Sequence, residues 1–169
     1  ALEEADVILF VVDAINGLFN EANAAELIKN YDFIVDATDN FAAKFLINDV
    51  CVAAGKPFSH GSLLRFGGQV FTYVPGSACY RCLFGNEPEA GSMPNSNDAG
   101  ILGAVAGMVG TIQATEVLKY FTQCGSLLTN RLLHTFDFRE LNPDKHWFDV
   151  TISQRSRELG LKNYLFANL

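Results

Sequence analysis

A chain of 169 residues in which 49% of positions are hydrophobic has the size and composition of one domain able to bury a substantial core. Its formal charge of −7, without a run of Lys or Arg, excludes the electrostatic footprint that a nucleic-acid backbone requires. The longest apolar run, 99–114, is shorter than the ~20 residues a bilayer core needs and is followed at once by Glu116 and Lys119, so it predicts a buried helix and no membrane span.

The four cysteines accompany no basic-start secretory segment, which points to a reducing, cytoplasmic setting. The sequence opens on ALEEAD without a Met, so its natural start is expected upstream and the chain is treated as a fragment.

In chain order, ADVILFVVDA (Ala5–Ala14) is rich in Val and Ile and predicts a strand covered on both faces. NEANAAELIKN offers Asn20 as an N-cap, with Leu27 and Ile28 as the apolar stripe of a helix. YDFIVDATDN repeats the buried-strand pattern and stops at polar residues. From Asn40, NFAAKFLINDVCVAAG places Phe41, Phe45, Leu46, Val50 and Ala53 at helical intervals, and Gly55 and Pro57 close that helix. KPFSHGS predicts a short strand, and GGQVFTYVPG a hairpin strand between Gly and Pro brackets. This alternation of strands and helices is the α/β signature, with crossover helices joining parallel strands.

From Phe84 to Asp98 the residues FGNEPEAGSMPNSND show no apolar period and predict a long loop of the kind that often carries function. A long helix is predicted from Gly100 to Thr122, with Gly103 and Gly107 on one face where another backbone can come close. RLLHTFDFR and HWFDVTIS predict two further strands around a turn at ELNPDK, and the tail ELGLKNYLFANL a short helix. No internal repeat or low-complexity tract occurs.

Two features carry possible chemistry. Asp36 and Asp39 stand at the carboxyl end of a predicted strand, with Asn40 opening the next helix, and in open α/β sheets that edge is where ligands bind. A carboxylate there can hold Mg²⁺ together with phosphate oxygens, or Asp39 and Asn40 can simply cap the helix. In ACYRCLFG, Cys79 and Cys82 are spaced so that one turn presents two thiolates to a metal, although a structural zinc site needs four ligands. Cys51 falls on an apolar helix and reads as a small buried hydrophobe.

The run from Tyr31 through CYRCLF, followed by NSNDAGILGAVAGMVGTIQATEVLKYF, closely resembles the ThiF/MoeB/HesA family of ubiquitin-activating-type adenylyltransferases over Ala14 to about Phe138. The resemblance implies a Rossmann-like, doubly wound, mostly parallel sheet with an antiparallel extension, in one domain over 1–169 whose C-terminal strands and tail occupy 139–169. It also implies ATP- and Mg²⁺-dependent adenylation of the C-terminal Gly-Gly carboxylate of a ubiquitin-like sulfur carrier, in thiamine, molybdenum-cofactor or related sulfur metabolism. On that resemblance Asp39 matches the magnesium-binding aspartate and Asn40 orders the same edge. Lys44 stands where many relatives carry Arg, keeping the charge beside the phosphates but not the planar fork, against the alternative of an ordinary solvated helix lysine. Arg65 matches an arginine near the groove for the partner's tail, against the alternative of a surface ion pair. Relatives form dimers, so a homo-dimer or hetero-oligomer is expected.

The sequence departs from the family pattern at three places. No glycine-rich turn of the kind that cradles phosphates precedes Asp39, so most of the nucleotide-binding half is missing from the match, which leaves open whether the chain is active alone. Zinc-binding relatives supply a second Cys-x-x-Cys near the C-terminus, where this chain reads TISQRSRELG; His134 and His146 lack the usual His-x₃₋₅-His spacing, so Cys79 and Cys82 form an incomplete zinc set. Ser96 replaces the cysteine that sulfur-transferring relatives carry, and a hydroxyl without an adjacent base is a weak nucleophile, so activity is expected to stop at the adenylate. The rival expectation is a non-catalytic fragment or subunit that binds a sulfur carrier or an intact paralogue.

Overall fold

The computed structural model describes residues 19–89, 92–93, 99–135 and 162–165. The expected strand at Ala5–Ala14, the strand HWFDVTIS and Ser96 lie outside them. Helix α1 spans Ala24–Ile28 and leads to strand β1, Ile34–Asp36. The expected cap at Asn20 is displaced: Asn23 precedes the helix, while the Asn20 side chain accepts from the Ala22 N–H at 3.0 Å, one turn earlier.

Helix α2, Phe41–Ala54, follows its sequence signals at both ends. The Asn40 backbone is extended and its side chain accepts the Ala43 N–H at 2.8 Å, satisfying one of the amide donors a helix start leaves unpaired. At the other end Gly55 takes a left-handed conformation (φ 63°), which a residue without Cβ adopts without a clash, and its N–H reaches back to the Cys51 and Val52 carbonyls.

Strands β2 (Phe58–Leu64) and β3 (Gly67–Tyr73) form a hairpin whose two-residue turn is Arg65 and Phe66. Arg65 has φ 55°, and its backbone is fixed from outside: its N–H donates to Gly100 O (2.9 Å) and its carbonyl accepts from Leu102 N–H (2.7 Å). Gly100 and Ile101 are therefore held against the hairpin turn, and the long helix begins at Gly103 rather than at Gly100. Short helix α3 spans Tyr80–Phe84, α4 Gly103–Thr122, β4 Arg131–His134 and β5 Lys162–Leu165. The tail expected to be helical thus contributes a strand in its described part.

The sheet order is β1-β2-β3-β4-β5, with β1–β2 and β4–β5 parallel and β2–β3 and β3–β4 antiparallel. Side chains alternate between faces, as the pleat requires. Phe58, Phe71, Tyr73 and Leu132 face a core shared with Phe45, Ile47 and Cys51 of α2 and Tyr80 and Leu83 of α3. Val70 and Leu133 face Val105 and Val109 of α4 on the opposite side. Helices therefore cover both faces of a mixed α/β sheet, as expected.

Among the described residues no backbone approaches Gly103 or Gly107 as expected, since a Cβ added at either would meet nothing within 4 Å. Side chains, not a backbone, come close to glycines in the hairpin beneath α4 instead. A Cβ at Gly61 would lie 2.5 Å from Gln113 Oε1, and one at Gly68 2.6 Å from Val109 Cγ2.

Candidate functional site at the carboxyl edge of the sheet

The candidate site grows from the end of β1. Asp36, the last residue of that strand, is buried (1% exposed), and each of its oxygens is engaged. Oδ1 accepts from the Thr38 N–H at 3.0 Å and the Thr38 hydroxyl at 2.7 Å. Oδ2 lies 2.7 Å from His60 Nδ1 and 3.2 Å from Lys44 Nζ. The Asp36 backbone carbonyl accepts from Gln113 Nε2 at 2.8 Å, and the same amide donates to Ser59 O at 3.1 Å, so one side chain of α4 bridges β1 and β2.

Burial alone would raise the Asp36 carboxyl, but the Lys44 ammonium and the His60 hydrogen bond outweigh it and hold the group well below the usual carboxylate range. His60 is pushed down to about 4, first by burial and then by the Lys44 charge, against the pull of Asp36. At neutral pH it is an uncharged imidazole that donates Nδ1–H to Asp36. Its Nε2 has no hydrogen-bond partner among the described residues and lies in an aromatic enclosure, with ring centroids of Tyr80 at 4.7 Å, Phe71 at 5.2 Å and Phe84 at 6.2 Å.

Lys44 is not a solvated helix lysine. It is buried, and its Nζ donates to Gly61 O at 2.7 Å as well as to Asp36, so its charge lies beneath the edge rather than on it. Asp39 is exposed at that edge, three residues beyond the end of the buried ladder, and accepts from Asn40 Nδ2 at 3.3 Å. Asn40 therefore caps α2 through Oδ1 and touches Asp39 through its amide.

An exposed carboxylate oxygen is the kind of hard donor that fits Mg²⁺, which is usually held by one or two carboxylates plus phosphate oxygens and water. Among the described residues, no group of three or more His, Cys, Asp or Glu side chains gathers to form a complete metal cage. Arg65 is exposed at the same end of the sheet, five residues beyond the Asp36–His60 pair along β2, or roughly 16 Å of extended chain.

Cys79 and Cys82 sit at the start of α3 with their sulfurs 3.6 Å apart. Two thiolates at the ~2.3 Å zinc–sulfur distance of a tetrahedral site stand roughly 3.8 Å apart, so this pair fits half of such a site. The turn is firmly held: Asn48 Oδ1 accepts the Tyr80 N–H at 2.8 Å, Asn130 Oδ1 accepts the Ala78 N–H at 2.8 Å, and Arg81 pairs with both Asp49 oxygens at 2.6 Å. Burial raises the Cys79 thiol above its ordinary value, with its neighbour Cys82 adding to the effect. Cys51 is fully buried in the core, as expected. His134 lies in β4 with Nδ1 3.4 Å from Gln69 Nε2, and His146 is outside the described residues.

The ThiF family model matches residues 5–160. The chain belongs to the ThiF family. It is 45% identical over 127 residues to the "Adenylyltransferase and sulfurtransferase MOCS3" of Caenorhabditis briggsae, covering 74% of this chain and 31% of that protein. It is 43% identical over 122 residues to the "SAMP-activating enzyme E1" of Haloferax volcanii, covering 72% of this chain and 45% of the relative. This ThiF-family chain thus spans less than half the length of either relative. A crystal structure of E. coli MccB with ATP shares the fold at a TM-score of 0.58 and 20% identity, covering 70% of this chain and 38% of MccB. Among the described residues, no helix is long and apolar enough to cross a membrane.

Sequence reasoning missed His60, Gln113 and Thr38. None belongs to a spacing pattern, and His60 and Gln113 meet Asp36 only through the tertiary fold.

Proposed function

We propose that this chain takes part in ATP-dependent adenylation of the C-terminal Gly-Gly carboxylate of a ubiquitin-like sulfur carrier, in thiamine, molybdenum-cofactor or related sulfur metabolism. The observation that carries the reading is an exposed Asp39 beside the helix cap Asn40, at the carboxyl edge of the sheet, in a ThiF-family chain. A carboxylate is a poor electrophile, and joining it to AMP supplies a leaving group. One carboxylate oxygen attacks the α-phosphorus of ATP, and the bond to the β-phosphate oxygen breaks as the C–O–P bond forms, so that pyrophosphate leaves with the electron pair. Mg²⁺ supplies charge neutralisation at the phosphates, and Asp39 would hold it.

In this reading Asn40 fixes the Asp39 carboxylate, and Lys44 lends positive charge to the phosphate end from the layer below. Arg65 guides the partner's tail, and Cys79 with Cys82 supplies two of four zinc thiolates, the remainder coming from other residues or another chain. The soft two-sulfur set predicts that Co²⁺ added to the reduced chain gives a thiolate-to-cobalt absorption band that is lost in C79S/C82S. An unchanged band in the double variant would remove these residues from the metal site.

The test of function is ATP–pyrophosphate exchange by the purified chain, with and without a Gly-Gly-ended carrier. Carrier-dependent exchange, abolished in D39A with the circular dichroism unchanged, is the expected result; exchange that survives D39A would sink the magnesium assignment. A second reading is a non-catalytic subunit that binds a carrier or an intact paralogue. It predicts carrier binding in a titration without exchange.

A further inference from the structure

Asp39 is flanked by two anchors. On its C-terminal side Asn40 is tied into the first turn of α2. On its N-terminal side Thr38 is tied, through both backbone N–H and hydroxyl, to a single oxygen of Asp36. An exposed residue between two fixed neighbours loses most of its backbone freedom, so its carboxylate is presented in a narrow range of positions without itself being packed.

Asp36 can serve as that anchor only if its carboxylate does not rotate, and the structure accounts for each acceptor that would let it. His60 and Lys44 take Oδ2, Thr38 takes Oδ1, and Gln113 takes the main-chain carbonyl. His60 is held in turn by its aromatic enclosure, and Lys44 by Gly61 O. A buried carboxylate serving only stability would need a counter-charge. Here both of its oxygens and its backbone connect three elements to one loop residue.

We propose that Asp36 is a positioning residue for Asp39, acting through Thr38, and that Lys44 and His60 hold its carboxylate oriented for that task. The inference rests on the reading of Asp39 as the metal-binding carboxylate. The residues that hold a ligand from one shell out typically change metal affinity about 10- to 100-fold when removed.

The test uses Mn²⁺ alone as probe, titrated into the full chain and read by paramagnetic broadening of the Asp39 and Asn40 amide signals. T38V removes the hydroxyl bond while keeping size and the backbone N–H; T38S restores the hydroxyl. D36N/K44M removes the buried charge pair together, so that no lone ammonium is left inside. The expected result is a roughly tenfold weaker Mn²⁺ midpoint in T38V and D36N/K44M, with T38S at the wild-type value. The Thr38 amide proton, shifted downfield by its carboxylate acceptor in the wild type, moves upfield in D36N/K44M.

A T38V midpoint equal to wild type, in a background where D39N abolishes broadening, overturns the positioning role and leaves the metal assignment standing. Broadening that persists in D39N overturns the metal assignment and the inference with it. Should D36N/K44M fail to fold, the T38V–T38S comparison still decides, because neither substitution removes a buried charge.

Discussion

His60 shows how a single buried side chain sets the pH response of this protein. Its imidazole is neutral when folded, with a proton affinity lowered to about 4 against an ordinary 6.5. Between those values the unfolded chain binds a proton that the folded chain refuses, so stability falls as pH drops through this window, by on the order of 3 kcal/mol in all. Asp36 is also depressed on folding and adds a further loss as pH falls below 3.8. Urea denaturation midpoints should therefore drop between pH 7.5 and pH 5. In H60F, where a ring of similar shape fills the enclosure, that dependence should flatten at the cost of one hydrogen bond to a charged group, about 1.5–3 kcal/mol. A pH slope retained in H60F would show that another group titrates.

At the residue scale the sequence was legible where chemistry is local. Asn40 and Gly55 bracket α2 through bonds spanning three or four residues, and Asp39 at the strand end could be singled out from type and place alone. The partners of Asp36 could not, because an alternating strand pattern tells which face a residue takes but not what stands across from it. Lys44 illustrates the limit. Its place in the helix is compatible with a phosphate contact or with solvent, and only Gly61 O on a neighbouring strand shows that its side chain points inward.

Among the elements, α4 joins the layers through several buried polar side chains. Gln113 reaches two strand carbonyls, and Glu116, buried at 1% exposure, accepts from the Thr72 hydroxyl at 2.6 Å and the Leu128 N–H at 2.7 Å and pairs with Lys119. Gly61 gives Gln113 its room. G61A should drive Gln113 off its two carbonyls and cost about 1–3 kcal/mol, read as a lowered denaturation midpoint. A variant as stable as wild type would mean that Gln113 repacks without loss. The helical period forecast α4 but not this use of it, since polar residues on a buried face look like errors until their partners are known. The four residues of β5 failed for the opposite reason: a short stretch such as KNYL fits either a helix end or a strand, and pairing with β4 decides.

On the scale of the whole molecule, the α/β class was readable from the alternation of element types, and the hairpin from its Gly and Pro brackets. The mixed order of the five strands was less so, because antiparallel pairing of β3 with β4 joins residues more than sixty positions apart. That same distance makes the sheet depend on contacts that close late in the chain.

The polar stitches from α4 bear on how this fold comes apart. Detaching the helix would strand a buried carboxylate, two strand carbonyls and a threonine hydroxyl without partners, each a cost of about 1–3 kcal/mol. Partial opening at this seam is therefore disfavoured, and α4 with β1, β2 and β3 should exchange their amide hydrogens as one cooperative unit at the global free energy. The five-residue α1, with only Ala24 and Ile28 buried, should open on its own well before it.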